Sequence, residues 1–222
     1  MNKAFIKSLI NKTEDVTIFE VGAADGLDTL DFANTFSDVK NFHLYAFEPD
    51  SRNILAFKQR INNPNVVLCE KAVGIDDGEV DWYTSTRSKT TQEDLIYSSS
   101  LRAPSGDLYD IWPQFKDSFI KEKKQSIRLD TFVEQNNIGM IDFAWVDCQG
   151  AEDLVIGGGK NTLENKVKFL YTEFSNREIY QGEKNLEQIL ALLPTYEVVK
   201  IFPNANSDLT GGDILLVNRS VA

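Results

Sequence analysis

Two segments constrain this chain more than any others: Ile18-Phe19-Glu20-Val21-Gly22-Ala23-Ala24-Asp25-Gly26 and Phe47-Glu48-Pro49-Asp50. In the first, an apolar run carries an acid and breaks into a turn with two glycines four positions apart. In the second, another apolar run ends in an acid. The pattern predicts strand, tight turn, helix and strand in succession. Glycine has no Cβ and accepts positive φ, so such a turn lets a ligand approach the backbone closely. An acid about 20 or more residues beyond it can accept hydrogen bonds from the hydroxyls of a nucleoside ribose. The spacing Gly22-x-x-x-Gly26 lacks the third glycine of a dinucleotide-binding turn, which argues against a nicotinamide oxidoreductase.

Periodicity extends this layout along the chain. Residues 16–21, 42–47 and 66–69 read as three strands. One helix between them is opened by Asp25-Gly26 and shows Leu27, Leu30 and Ala33 on one face. The next is capped by Asp50 or Ser51, shows Ile54, Phe57 and Ile61 on one face, and is stopped by Pro64. Asp76-Asp77-Gly78 reads as a hairpin turn between Val73-Gly74-Ile75 and Val80-Asp81-Trp82-Tyr83. An irregular stretch then runs from Thr84 to about Lys124 and carries Tyr97, Tyr109, Trp112, Phe115 and Phe119. Loops of that length are uncommon unless they cover or bind something, and the aromatics argue against disorder. A segment covering a substrate is the expectation.

Alternation resumes at Ile127-Arg128-Leu129-Asp130. A fourth strand, 141–146, ends at Asp147; a helix over 150–163 is interrupted by Gly157-Gly158-Gly159; a fifth strand, 169–174, carries Glu173. Leu186, Ile189, Leu190 and Leu193 mark a helix stopped by Pro194. Residues 196–202 and 214–217, joined by a polar turn containing Gly211-Gly212, close the sheet. The predicted fold is α/β, a Rossmann-like doubly wound seven-stranded sheet whose last strand is antiparallel, with a hairpin/loop insertion. A single domain over 1–222 is expected, with the insertion or lid at about 84–126.

With 222 residues and 42% hydrophobic content, one sizeable core can form. The 34 acids exceed the 23 Lys and Arg, giving a net charge of -11 that repels a polyanion, so nucleic acid is not an expected partner. The densest basic run, Lys121-Glu122-Lys123-Lys124, is short and interrupted. Cys69 and Cys148 are far apart and follow or end apolar runs, which predicts reduced, buried thiols. The first residues lack a long apolar stretch, and no 18-residue apolar span occurs, so no membrane span and a cytoplasmic location are expected.

In open α/β sheets, ligands bind beyond the carboxyl ends of the strands. Glu20, Glu48, Asp147 and Glu173 all fall at such ends, which places four acids around one crevice. Glu48 suits vicinal ribose hydroxyls through charge-assisted hydrogen bonds. Lys71 and Ala72, after the third strand, lie where a base would sit. The single histidine, His43, is at the start of the second strand, away from the crevice, and reads as structural.

The chain resembles the FkbM family of methyltransferases that use S-adenosylmethionine (SAM). The resemblance runs from Val16 to Val217. It is carried by Phe19-Glu20-Val21-Gly22-Ala23-Ala24-Asp25-Gly26, Ala46-Phe47-Glu48-Pro49-Asp50, Lys71-Ala72-Val73-Gly74 and Ser98-Ser99-Ser100-Leu101. The most distinctive part is Ile141-Asp142-Phe143-Ala144-Trp145-Val146-Asp147-Cys148-Gln149-Gly150-Ala151-Glu152, in which Trp145 stands where the family usually has lysine. The resemblance implies O-methylation of a hydroxyl on a sugar, glycolipid or polyketide-type small molecule or glycan. The alternatives are methylation at nitrogen or at a carboxylate, or a SAM-binding module without turnover. The implied cofactor-binding residues are Glu20, Gly22, Ala23, Gly26, Glu48, Pro49, Lys71, Ala72 and Asp147, with Glu20 attracting the α-ammonium of the methionine moiety. Asp147 is the first candidate for general base and Glu173 the second; the two could instead share a divalent cation. A homo-oligomer is compatible with all of this.

Overall fold

The computed structural model describes residues 1–204 and 211–221. Helix α1 (Lys3–Ile10) leads into β1 (Glu14–Val21), α2 (Leu27–Thr35), β2 (Lys40–Phe47), α3 (Ser51–Arg60) and β3 (Val66–Cys69). After β4 (Ala72–Val73) and β5 (Gly78–Ser85) come α4 (Gly106–Ile111), a 3-10 turn at Pro113–Phe115 and β6 (Phe119–Ile127). Then follow α5 (Leu129–Gln135), β7 (Ile141–Val146), α6 (Glu152–Gly158), α7 (Lys160–Lys166) and β8 (Val167–Phe174). The chain closes with α8 (Leu186–Ala191), β9 (Tyr196–Pro203) and β10 (Gly212–Asn218).

The main sheet has seven strands in the order β3-β2-β1-β7-β8-β10-β9. β10 is antiparallel to both of its neighbours, and the other pairings are parallel. This is the expected doubly wound sheet. All six residues of β7 are buried, as a central strand requires when helices cover both faces. Alternate strand residues feed two cores. Ile18, Phe143, Trp145 and Leu215 pack with α1, α2 and α3 through Ile6, Phe32 and Phe57. Phe19, Val146, Leu170 and Leu216 pack on the other face with Phe132, Val155, Leu163 and Ile189. Asp50 is the cap of α3, accepting from the Arg52 amide at 2.9 Å.

The insertion differs from expectation. β5 pairs antiparallel with β6, from Gly78↔Ser126 to Ser85↔Phe119, while β4 pairs parallel with β6. The order β4-β6-β5 means that Asp76-Asp77-Gly78 turns no hairpin. Asp77 instead accepts from the Arg128 amide (2.8 Å) and the Thr131 hydroxyl (2.7 Å), which pins this connection to the start of α5. The irregular stretch shrinks accordingly to 86–118 and contains α4. The basic run lies within β6, where Lys121 and Lys123 pair with Asp81 at 2.8 and 3.0 Å, so it forms no free cationic patch. Of the polar turn read between the two closing strands, residues 205–210 lie outside the described residues, and Gly212 already begins β10. Among the described residues no helix is long and apolar enough to cross a membrane.

Candidate active site

A cavity of about 440 Å3 opens at the carboxyl ends of β1, β2 and β7, and its wall includes Gly22, Ala23, Glu48, Pro49, Lys71, Ala72 and Asp147. Gly22 has φ +89°, and a Cβ there would stand 1.9 Å from the Asp147 carbonyl oxygen. Only glycine lets the end of β7 cross the turn this closely, and the Asp147 amide donates to the Val21 carbonyl at 3.0 Å. Glu48 is buried. Its Oε2 accepts from the Ala24 amide and its Oε1 from the Asp50 amide, both at 2.8 Å. Burial pushes its pKa up to about 7, against the lowering effect of those two amides. With one amide on each oxygen, the remaining lone pairs suit two hydroxyl donors.

Two predicted residues do not reach this wall. Glu20 is buried beneath the turn, where the Thr29 hydroxyl of α2 donates to its Oε2 at 2.5 Å. Burial pushes its pKa up to about 8. Gly26 begins α2 with φ +80°, and a Cβ there would meet the Phe57 ring at 2.7 Å, so its role is to seat α3. Ala24, Asp28, Asn53, Trp82 and Gln149 line the wall without having been singled out from sequence. Asn53 Oδ1 and Trp82 Nε1 are buried without a protein partner, and a polar nucleoside fits that environment.

Glu173 lies in the wall of an adjoining cavity of about 390 Å3, together with Trp112, Phe115, Tyr180 and Glu183. Gln149 belongs to both walls, and its Nε2 donates to Asp147 Oδ1 at 2.8 Å. One carboxylate oxygen from each of Asp147, Glu152 and Glu173 lies within 4.8 Å of the others. Burial is the main cause raising the pKa of all three. For Glu173 the Asp147 charge adds to it; for Glu152 the raised value is about 8 despite the Cys148 amide, which donates to it at 2.7 Å. Carboxyls this close share protons or accept a cation.

The insertion reaches both cavities. Tyr97 lines the first, and its hydroxyl donates to Asp25 Oδ2 at 3.2 Å beside the Arg60–Asp25 ion pair at 2.6 Å. The Ser99 hydroxyl donates to Asp50 (3.2 Å) and that of Ser100 to the Gln149 carbonyl (2.8 Å). Arg102 Nη2 donates to both oxygens of Asp153, at 2.7 and 2.8 Å. The expected aromatic set is therefore divided: Tyr97 faces the first cavity, Trp112 and Phe115 the second, and Tyr109 and Phe119 pack around Leu108 and Ile179. Cys148 is a free, part-buried thiol whose pKa is pushed well above the usual range by burial, as expected of an inert cysteine. Cys69 is likewise free and raised by burial.

A family model, the methyltransferase FkbM domain, matches residues 20–201. The chain is 35% identical over 219 residues to the 2-O-methyltransferase NoeI of Sinorhizobium fredii, covering 97% of this chain and 84% of that protein. Among solved structures, a methyltransferase FkbM from Methylobacillus flagellatus superposes with a TM-score of 0.57 at 13% identity, over 98% of this chain. The chain spans 48% of that protein's length. An O-methyltransferase from Bacillus cereus gives a TM-score of 0.55 at 12% identity, covering 97% of this chain and 80% of that one. These two likenesses speak for the fold, and the family match and the relative for the chemistry: the chain belongs to the FkbM family of SAM-dependent methyltransferases.

Proposed function

We propose that the enzyme methylates a hydroxyl of a neutral, polyhydroxylated small molecule or glycan, with SAM in the first cavity and the acceptor in the second. The observation that carries this reading is the junction: Gln149 lines both cavities, Asp147 the first and Glu173 the second, with their carboxylates within 4.8 Å. In this reading Glu48 receives the ribose hydroxyls, Lys71 and Ala72 flank the base, and the Gly22 turn passes under the methionine end. Bound there, SAM supplies an electrophilic methyl group on a positively charged sulfur. Trp112 and Phe115 offer flat apolar faces to a sugar or macrolide ring. Glu173, once ionised, takes the acceptor's proton, because of the two carboxyls in the wall of the second cavity, Glu173 and Glu183, it is the one grouped with Asp147 at the junction, and burial raises its affinity for a proton. The positive sulfur of SAM bound beside Asp147 would lower the proton affinity of the neighbouring carboxyls and so favour the ionised base. Holding the hydroxyl in line can contribute roughly 7–11 kcal/mol in favourable cases. A relative named as a 2-O-methyltransferase supports a hydroxyl acceptor, and the net charge of -11 supports a neutral one.

The test uses Glu173→Gln and Asp147→Asn with a panel of hydroxylated acceptors. Turnover is expected to fall about 10²- to 10⁴-fold in Glu173→Gln, while calorimetric affinity for S-adenosylhomocysteine stays within a few-fold. Lost cofactor affinity in Asp147→Asn would move that residue from the chemistry to cofactor positioning. Turnover abolished by EDTA would replace the base with a cation held by Asp147, Glu152 and Glu173.

A further inference from the structure

The family match begins at residue 20, yet a buried cation from outside that span stands behind the first cavity. Lys3, in the first turn of α1, is only 2% exposed. Its Nζ lies 3.4 Å from the centroid of the Trp145 ring and 4.5 Å from that of Phe32. Its ion-pair partner is Asp28 Oδ1 at 2.6 Å. Both Trp145 and Asp28 are in the cavity wall, and the Asp28 side chain remains 57% exposed. A cation therefore does stand at Trp145, although the sequence alone left that place without one.

A desolvated ammonium over an indole face is attracted by the ring quadrupole more strongly than an exposed one. Placed between the ring and Asp28, it fixes the orientation of both. One Asp28 oxygen is engaged by Lys3, and a carboxylate that stays this exposed has further lone pairs to offer a donor in the cavity. The cavity has two ends on either side of Glu48. By the sheet order β3-β2-β1-β7, Lys71 and Ala72, which follow β3, mark one end; Gly22 after β1 and Asp147 after β7 mark the other, with Asp28 tied to Trp145 of β7 through Lys3 and with Gln149 shared with the acceptor cavity. The reacting end of the cofactor must lie at the second of these ends, and with it the amino-acid tail.

We propose that Lys3 is a positioning residue for the amino-acid end of SAM: by holding Asp28 against Trp145, it presents the free Asp28 oxygen to the α-ammonium. The inference rests on the cofactor orientation given under the proposed function. S-adenosylhomocysteine and 5′-methylthioadenosine both carry the adenosine and a neutral thioether, and only the first has the amino-acid tail. In Lys3→Met and Asp28→Asn, affinity for S-adenosylhomocysteine is expected to fall about tenfold, while affinity for 5′-methylthioadenosine stays within twofold or so. Lys3→Arg, which keeps the cation, restores most of the difference. A purely structural Lys3 would weaken both ligands together or lower only the melting temperature, and either result overturns the proposal. Asp28→Asn, at an exposed carboxylate, keeps the test decisive if Lys3→Met fails to fold. Wild-type protein that binds 5′-methylthioadenosine as tightly as S-adenosylhomocysteine would instead overturn the assumed orientation.

Discussion

Glu48 stands between two opposing influences, and the balance makes cofactor binding depend on pH. Burial raises its pKa to about 7, whereas ribose hydroxyls donate best to the ionised form. Affinity for S-adenosylhomocysteine should therefore fall as pH drops from 8 through 7 to 6, with proton release on binding at the acid end. Calorimetry in buffers of different ionisation heat would measure this, and Glu48→Gln should flatten the profile at an affinity lower by about tenfold. Glu20 is one of the buried carboxyls that make stability depend on pH. It keeps its proton to about pH 8 in the folded protein but gives it up near 4.5 when unfolded. The native state then holds more protons across that window, so its stabilising contribution is full below pH 4.5 and is lost as pH rises through 8. Melting temperature should fall from pH 6 to 9, and Glu20→Gln should make the fall shallower. The motif led to both acids, but only one reaches the cavity. Alternation along β1 turns Glu20 toward Thr29 of α2, and a motif string does not show which side of a strand end opens to the ligand. The two glycines divide in the same way, Gly22 yielding to the Asp147 carbonyl and Gly26 to Phe57.

At the scale of elements, the strands of the main sheet were legible because their apolar runs are local. The pairing of β5 with β6 was not. Its partners are some forty residues apart in sequence, and the run of Lys and Glu in the middle of β6 gives no apolar alternation to read. α1 was missed too, since a single two-turn helix leaves too few periods to register. With 97–102 pinned to the β1 turn, to the α3 cap and to the loop after β7, Tyr97 lines the first cavity while Trp112 and Phe115 line the second. Trp112→Ala should raise the acceptor KM about two- to tenfold, in line with an aromatic contact of about 0.5–1.5 kcal/mol, and leave S-adenosylhomocysteine affinity unchanged. Tyr97→Ala should do the reverse. Steady-state kinetics paired with calorimetry separates the two, and matched effects on both ligands would mean that the cavities do not serve different molecules.

For the molecule as a whole, alternating β and α elements were enough to predict the layers, and the closing β-turn-β pair was enough to predict the reversed strand. The site was less legible because it is assembled from distant parts. Asp28 in the first turn of α2 reads in sequence as an ordinary helix-start acid, and its link to Lys3 exists only once α1 packs on the sheet. The sheet order has one more effect. β10 follows β9 in sequence but lies between β8 and β9, which has no other neighbour in the sheet among the described residues. During synthesis, then, β8 is an open edge and β9 waits unpaired until residues 212–218 have left the ribosome. Leu170, Tyr171 and Thr172 stay available to other nascent chains for that interval. Chaperone demand in the cell falls on the interval before β10 emerges, after most of the core has already formed.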